Sequence, residues 1–110
     1  MNVIMRNLPG HSEWESSFYG QLSEYCHWNN GYYEELKSEL ESLCKDLVSD
    51  SHVTKELAYS VLFLQQKIMM IFRCHYDPMD SVHIQGVETE TIRELDEELQ
   101  ALFRSLFVSD

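Results

Sequence analysis

Four stretches of this chain set apolar residues three and four positions apart, and that repeat constrains the fold more than any other feature. It matches the 3.6-residue turn of a helix and not the two-residue alternation of a half-buried strand. The most apolar stretch starts near Ser51 and runs to about His75. Leu57, Val61, Leu64, Ile68, Ile71 and Phe72 form its main stripe, and Leu62, Phe63, Met69 and Met70 make it apolar almost all round. Such a helix is expected to be central, with neighbours on several sides. Asp77-Pro78 is expected to end it, because proline pushes the residue before it out of the α region.

The other three stretches carry their own start signals. After Pro9-Gly10, Ser12 and Glu15 read as a capping box, and Trp14, Phe18, Leu22 and Tyr25 or Cys26 then share a face. Gly20 weakens this helix modestly, and a close approach of another backbone is one reason to keep it. The next helix follows Trp28-Asn29-Asn30-Gly31 with either asparagine as N-cap. Tyr33, Leu36, Leu40, Leu43 and Leu47 are its stripe. The last opens on a second box, Thr91 and Glu94, and buries Ile92, Leu95, Leu99, Leu102, Phe103 and Leu106.

Residues 82–87 and 2–5 read as short extended segments that can pair with each other. The expected architecture is all-α: one bundle-like domain over residues 1–110, built as an antiparallel four-helix bundle with a minor extended segment near 82–87. A chain of 110 residues is one domain's worth, since halves of it would bury too little core.

Charge narrows the partners. Nineteen Asp and Glu against eight Lys and Arg give a formal net charge of −11, which repels nucleic acid and anionic membrane alike. The excess is uneven. Between Glu13 and Asp50 there are nine acids and two lysines, and between Glu88 and Glu98 six acids and one arginine. Between Ser51 and His75, Glu56 alone faces Lys55, Lys67 and Arg73. Like-charge pairs four apart, Glu35/Glu39 and Glu94/Glu98, each cost a helix a few tenths of a kcal/mol, roughly. Tolerating them repeatedly points to attraction of a cationic partner, with solubility the plainer explanation.

The three cysteines, Cys26, Cys44 and Cys74, are too few and odd in number for a disulfide framework. That favours a reducing compartment. Residues 1–9 lack the basic start and apolar run of a signal peptide, and no stretch is long and apolar enough to span a bilayer. The cytoplasm is therefore the expected location. Cys26-His27 and Cys74-His75 offer zinc-type ligands near helix ends, but without standard spacing they read as small buried thiols and surface or capping histidines. No GxSxG, HExxH, P-loop or GxGxxG pattern is present. Trp14, Phe18 and Phe103 read as core. Trp28 reads as a plug at the end of the bundle rather than an exposed anchor.

Arg6-Asn7-Leu8-Pro9, Ser17-Phe18-Tyr19-Gly20, Trp28, Tyr32-Tyr33-Glu34-Glu35-Leu36 and the turn His75-Tyr76-Asp77-Pro78-Met79-Asp80 together resemble the small helical immunity proteins of bacterial polymorphic-toxin systems. Among these the chain looks most like immunity protein family forty-one, found beside contact-dependent growth-inhibition toxins. The resemblance is scattered over most of the chain, and its motifs are structural rather than chemical. Where the family's pattern often has glycine after the turn aspartate, this chain has Ser81. The resemblance implies a protein that neutralises one cognate toxin domain, often a nuclease acting on tRNA or DNA, inside the producing cell. It also implies that Arg6, Asn7, Pro9, Phe18, Gly20, Trp28, His75, Pro78 and Asp80 fix the shared fold, while charged faces choose the partner.

The functional expectation is then a non-enzymatic inhibitor with no cofactor and no metal, acting as a monomer or as a heterodimer with a basic toxin domain. The acids expected to touch that partner are Glu34, Glu35, Glu39, Glu41, Glu94, Glu97 and Glu98, joined by Asp77 and Asp80 on the turn. One alternative is a homo-oligomeric structural or regulatory protein that buries the surplus apolar surface of its third helix on a copy of itself. Another is a small metal-dependent enzyme using the Cys-His pairs.

Overall fold

The helical repeats are realised in a computed structural model that describes residues 2–49, 54–77, 79 and 83–107. The elements in chain order are α1 (Asn2–Arg6), a 3-10 turn (Trp14–Ser16), α2 (Phe18–Tyr25), α3 (Asn30–Ser49), α4 (Lys55–Tyr76) and α5 (Thr89–Phe107). The described residues are all-α, with no strand among them.

Each long helix buries the stripe its sequence lays down. Tyr33, Leu36 and Leu40 of α3, Leu57, Val61, Leu64, Ile68 and Phe72 of α4, and Ile92, Leu99, Phe103 and Leu106 of α5 all enter one core. Trp28 is buried against Phe18, Tyr33 and Phe72, at ring-centroid distances of 4.9, 5.1 and 6.0 Å, so it packs as a plug. α5 lies against both α3 and α4, while α1 and α2 touch the same two helices. Gln65 pairs with Gln100 at 3.4 Å and His75 with Thr89 at 3.0 Å, so α4 and α5 run antiparallel. Tyr33 reaches Glu98, whereas Cys44 reaches the Leu102 carbonyl at 3.8 Å. Hence α3 and α5 point the same way, as alternate helices of an up-and-down chain do.

Several boundaries differ from the expected ones. Residues 2–6 are helical, not extended. Ile4 is buried, and the Asn7 amide donates to the Val3 carbonyl at 2.7 Å, satisfying an acceptor that the helix end leaves open. Ser12 does not cap α2. Ser17 does, by accepting from the Gly20 amide at 3.0 Å while donating to the Trp14 carbonyl at 2.6 Å. The Ser12 box loses because the chain between it and Phe18 turns tightly as 3-10 structure, ending in extended backbone at Ser17. Gly20 thus lies in the first turn of α2, and a Cβ there would run into the Trp14 carbonyl; the close backbone approach is real.

α3 is capped by Asn29, whose Oδ1 accepts from the Tyr32 amide at 3.0 Å. α4 opens at Lys55, later than expected, because Thr54 is extended and accepts from the Leu57 amide at 3.1 Å. α5 begins two residues before its supposed cap: Ile92 already donates to the Glu88 carbonyl at 3.0 Å, placing Thr91 inside the first turn. Asp77 closes α4 in the extended region, as the following proline demands. Pro78, Asp80, Ser81 and Val82 lie outside the described residues.

Of the run 82–87 expected to be extended and to pair with residues 2–5, the described part makes a single bridge at Gln85, bends at Gly86 and Val87, and meets the end of α2 instead. α2 ends in a Schellman turn: Cys26 adopts φ 49° and the His27 amide donates to the Gln21 carbonyl at 3.2 Å. That turn leaves the Cys26 carbonyl and the Trp28 amide unpaired within α2. Gln85 satisfies both, at 2.7 and 2.8 Å, in a single parallel bridge at His27. Nor is α4 covered on every side. α5 flanks it on one side and α1 and α2 on the other, which leaves Tyr59, Leu62 and Met70 exposed at 67%, 48% and 50%.

Candidate partner-binding face on α3 and α5

The two acid-rich stretches, some sixty residues apart in sequence, become neighbouring parallel helices. Their junction is Glu98. Its Oε1 accepts from the Tyr33 hydroxyl at 2.9 Å and from the Lys37 ammonium at 3.0 Å, and the Tyr33 hydroxyl also meets the Leu95 carbonyl at 3.2 Å. Hydrogen bonds from Lys37 and then Tyr33 hold the Glu98 carboxyl below its ordinary pKa. Burial first, and then the bond to Glu98, push the Tyr33 phenol far above the usual tyrosine range. Lys37 is raised, chiefly by its bond to Glu98 and further by the charges of Glu98, Glu34 and Glu41. Glu34 and Glu41 therefore share a field with the α5 acids.

Each of the two like-charge pairs flagged in the sequence has one member neutralised by another helix. Glu35 binds Arg6 at 3.0 Å, and Arg6 also approaches Glu13 at 3.9 Å. Glu98 is held by Lys37. This explains in part how the i, i+4 repulsions are tolerated.

The nine acids singled out by sequence fall into three groups. Glu34, Glu41, Glu94 and Glu97 are exposed along α3 and α5. Glu35 and Glu98 hold helices together, and Glu39 is half-buried. Asp77 is exposed at the end of α4, where its Oδ1 accepts from the Met79 amide at 2.9 Å; Asp80 lies outside the described residues. Reading Tyr33 only as core missed its role as the clasp between α3 and α5. A phenol on a core stripe needs a hydrogen-bond partner when buried, and that was the available signal.

The Cys-His pairs flank the 83–87 segment. His27 carries the backbone bridge to Gln85, and the His75 Nδ1 accepts from the Ile84 amide at 3.0 Å. That bond places the ring proton on Nε2, where it faces the Thr89 hydroxyl. His83 stacks on His75 at 5.1 Å. Burial, and secondarily the neighbouring His83, lower the His75 pKa. Cys26, Cys44 and Cys74 form no disulfide among the described residues. Among the described residues no group of three or more His, Cys, Asp or Glu could hold a metal ion, and no helix is long and apolar enough to cross a membrane.

Comparison with family models, with curated proteins and with solved structures found no match to this chain.

Proposed function

We propose that the protein is an immunity protein that binds a basic toxin domain, such as a nuclease, and blocks the surface meant for its substrate. The observation that carries this reading is the convergence of both acid-rich stretches on one two-helix face, with Glu34, Glu41, Glu94 and Glu97 turned to solvent. A site built for phosphate is positively charged, so carboxylates complement it and compete with substrate. The face acts by occupancy and needs neither cofactor nor catalysis. Rigid mounting suits such a blocking surface. Glu98, Lys37 and Tyr33 lock α3 to α5, which spares the complex the cost of ordering loops. The working location is the cytoplasm of the toxin's producer, and the scattered resemblance to immunity protein family forty-one points the same way.

The test begins at the neighbouring genes: where one encodes a large secreted protein, its C-terminal domain is co-expressed with this chain, and neighbours of every other kind count against the proposal. Growth rescue by the wild-type chain, lost when Glu34, Glu41, Glu94 and Glu97 are all changed to lysine, is expected. A toxin domain that kills equally well with and without the wild-type chain contradicts the proposal.

A further inference from the structure

Among the described residues nothing covers the outward side of α4. At about 100° per residue, Tyr59, Leu62, Gln66, Met70 and Arg73 fall within an arc of roughly 80°, opposite the buried Leu57, Leu64 and Ile68. Tyr59, Leu62, Gln66, Met70 and Arg73 are all exposed. Three large apolar side chains, Tyr59, Leu62 and Met70, thus share one exposed stripe with Gln66 at its middle and Arg73 at one end, a grouping that suits an interface.

Charge limits what can lie on it. The chain carries a formal −11, with its acids concentrated in the α3 and α5 stretches. Along α4, Lys55, Lys67 and Arg73 face only Glu56 before the closing Asp77. Two copies of so acidic a chain meet least repulsion on this side. The spacing is also self-complementary about Gln66. Leu62 and Met70 lie four residues to either side of it, Tyr59 and Arg73 seven, and Lys55 and Asp77 eleven. If two α4 helices lie antiparallel with a twofold axis at Gln66, Leu62 of one copy packs on Met70 of the other. The Arg73 guanidinium then lies over the Tyr59 ring as a cation–π pair. Lys55 meets the Asp77 carboxylate, and the two Gln66 amides can bond each other. No like charges oppose in this register. A crossing angle near 20° keeps even the end pair, about 16 Å from the axis at 1.5 Å per residue, within reach of a lysine.

We infer that the chain forms an isologous dimer through the outward face of α4, antiparallel about Gln66. The seam takes up Asp77 but none of Glu34, Glu41, Glu94 and Glu97, so each copy keeps those four available.

Sedimentation equilibrium of the intact chain, from low micromolar to sub-millimolar, tests this. The apparent mass should climb from 13.0 kDa towards twice that value, and Leu62→Glu should hold it at 13.0 kDa with an unchanged far-ultraviolet circular dichroism spectrum. A wild-type mass of 13.0 kDa throughout, or a folded Leu62→Glu chain that dimerises as well as wild type, overturns the inference. Register is tested by mild oxidation, with wild type setting the background from Cys26, Cys44 and Cys74. Gln66→Cys should cross-link to itself, whereas Tyr59→Cys and Arg73→Cys should cross-link only when mixed. Self-linking of Tyr59→Cys alone above that background also overturns it.

Discussion

Replacing Gly20 with alanine should destabilise this protein, although the same change elsewhere in a helix usually stabilises. In an ordinary helical position the added methyl gains about 1 kcal/mol through reduced chain entropy and better propensity. Here it would be driven into the Trp14 carbonyl and would lie 2.9 Å from the Ser17 Oγ. Neither neighbour yields freely. The Trp14 carbonyl accepts from both the Ser17 hydroxyl and the Ser17 amide, at 2.6 and 3.2 Å. The same hydroxyl caps α2, so displacing it forfeits about 1 kcal/mol of capping. Overpacking against backbone adds about 1–3 kcal/mol. The opposing contributions leave a net loss of about 1–3 kcal/mol. Urea unfolding followed by circular dichroism should give a lower midpoint at unchanged m-value. Gly31→Ala is the milder comparison: its Cβ would press only on Asn29 Oδ1, the α3 cap, at 3.3 Å and would meet no backbone, so its midpoint should fall less than that of Gly20→Ala. A Gly20→Ala midpoint at or above wild type would refute the reasoning.

Asn7→Ala should cost about 2–3 kcal/mol in the same assay, because it orphans the buried Tyr19 amide that Asn7 Oδ1 accepts from at 2.8 Å; a loss below 1 kcal/mol would contradict that role. Tyr33 should resist ionisation while the protein is folded, since burial and then the bond to Glu98 raise its pKa. Its folded value exceeds the unfolded one, so its contribution is intact below about pH 10 and is lost as pH rises beyond that. Tyr33→Phe should accordingly flatten the loss of stability above about pH 10, and an unchanged slope would count against it. His75 works in the opposite sense. Its folded pKa is lowered by burial and His83, so stability should fall as pH drops below about 6.5, and His75→Gln should reduce that slope. Equal slopes for the two chains between pH 6.5 and 5.5, roughly, would contradict the assigned tautomer.

The long helices were legible because each carries a stripe that only one period fits. Leu57, Leu64 and Ile68, or Ile92, Leu99 and Phe103, need no tertiary knowledge to be placed inside. Caps were only partly legible: the sequence offered both Asn29 and Asn30 for α3, and the structure uses Asn29. Ser12 competed with Ser17, and Thr91 with the turn before it, and local chemistry does not rank such alternatives. Residues 2–6 were illegible for a different reason: five residues cannot show a period, and their helix depends on Asn7 and on α2 for its partners. The same limit hid the exposed side of α4. Its sequence is apolar all round, and only the count and placement of its neighbours decide which side stays bare. The acidic face was half legible. The sequence located both clusters of glutamates, but their meeting at Glu98 and the pairing of Glu35 with Arg6 are long-range events.

The most direct measurement is how fast a basic toxin domain that this chain neutralises is captured at different salt concentrations. Stopped-flow association of that domain with the wild-type chain should slow by about tenfold or more as sodium chloride is raised from 20 to 500 mM, roughly, because electrostatic steering is screened over a few ångströms at the higher value. Changing Glu34, Glu41, Glu94 and Glu97 to lysine should slow association at low salt and flatten the dependence. An association rate indifferent both to salt and to those four substitutions would contradict the claim that the α3 and α5 acids draw in the partner.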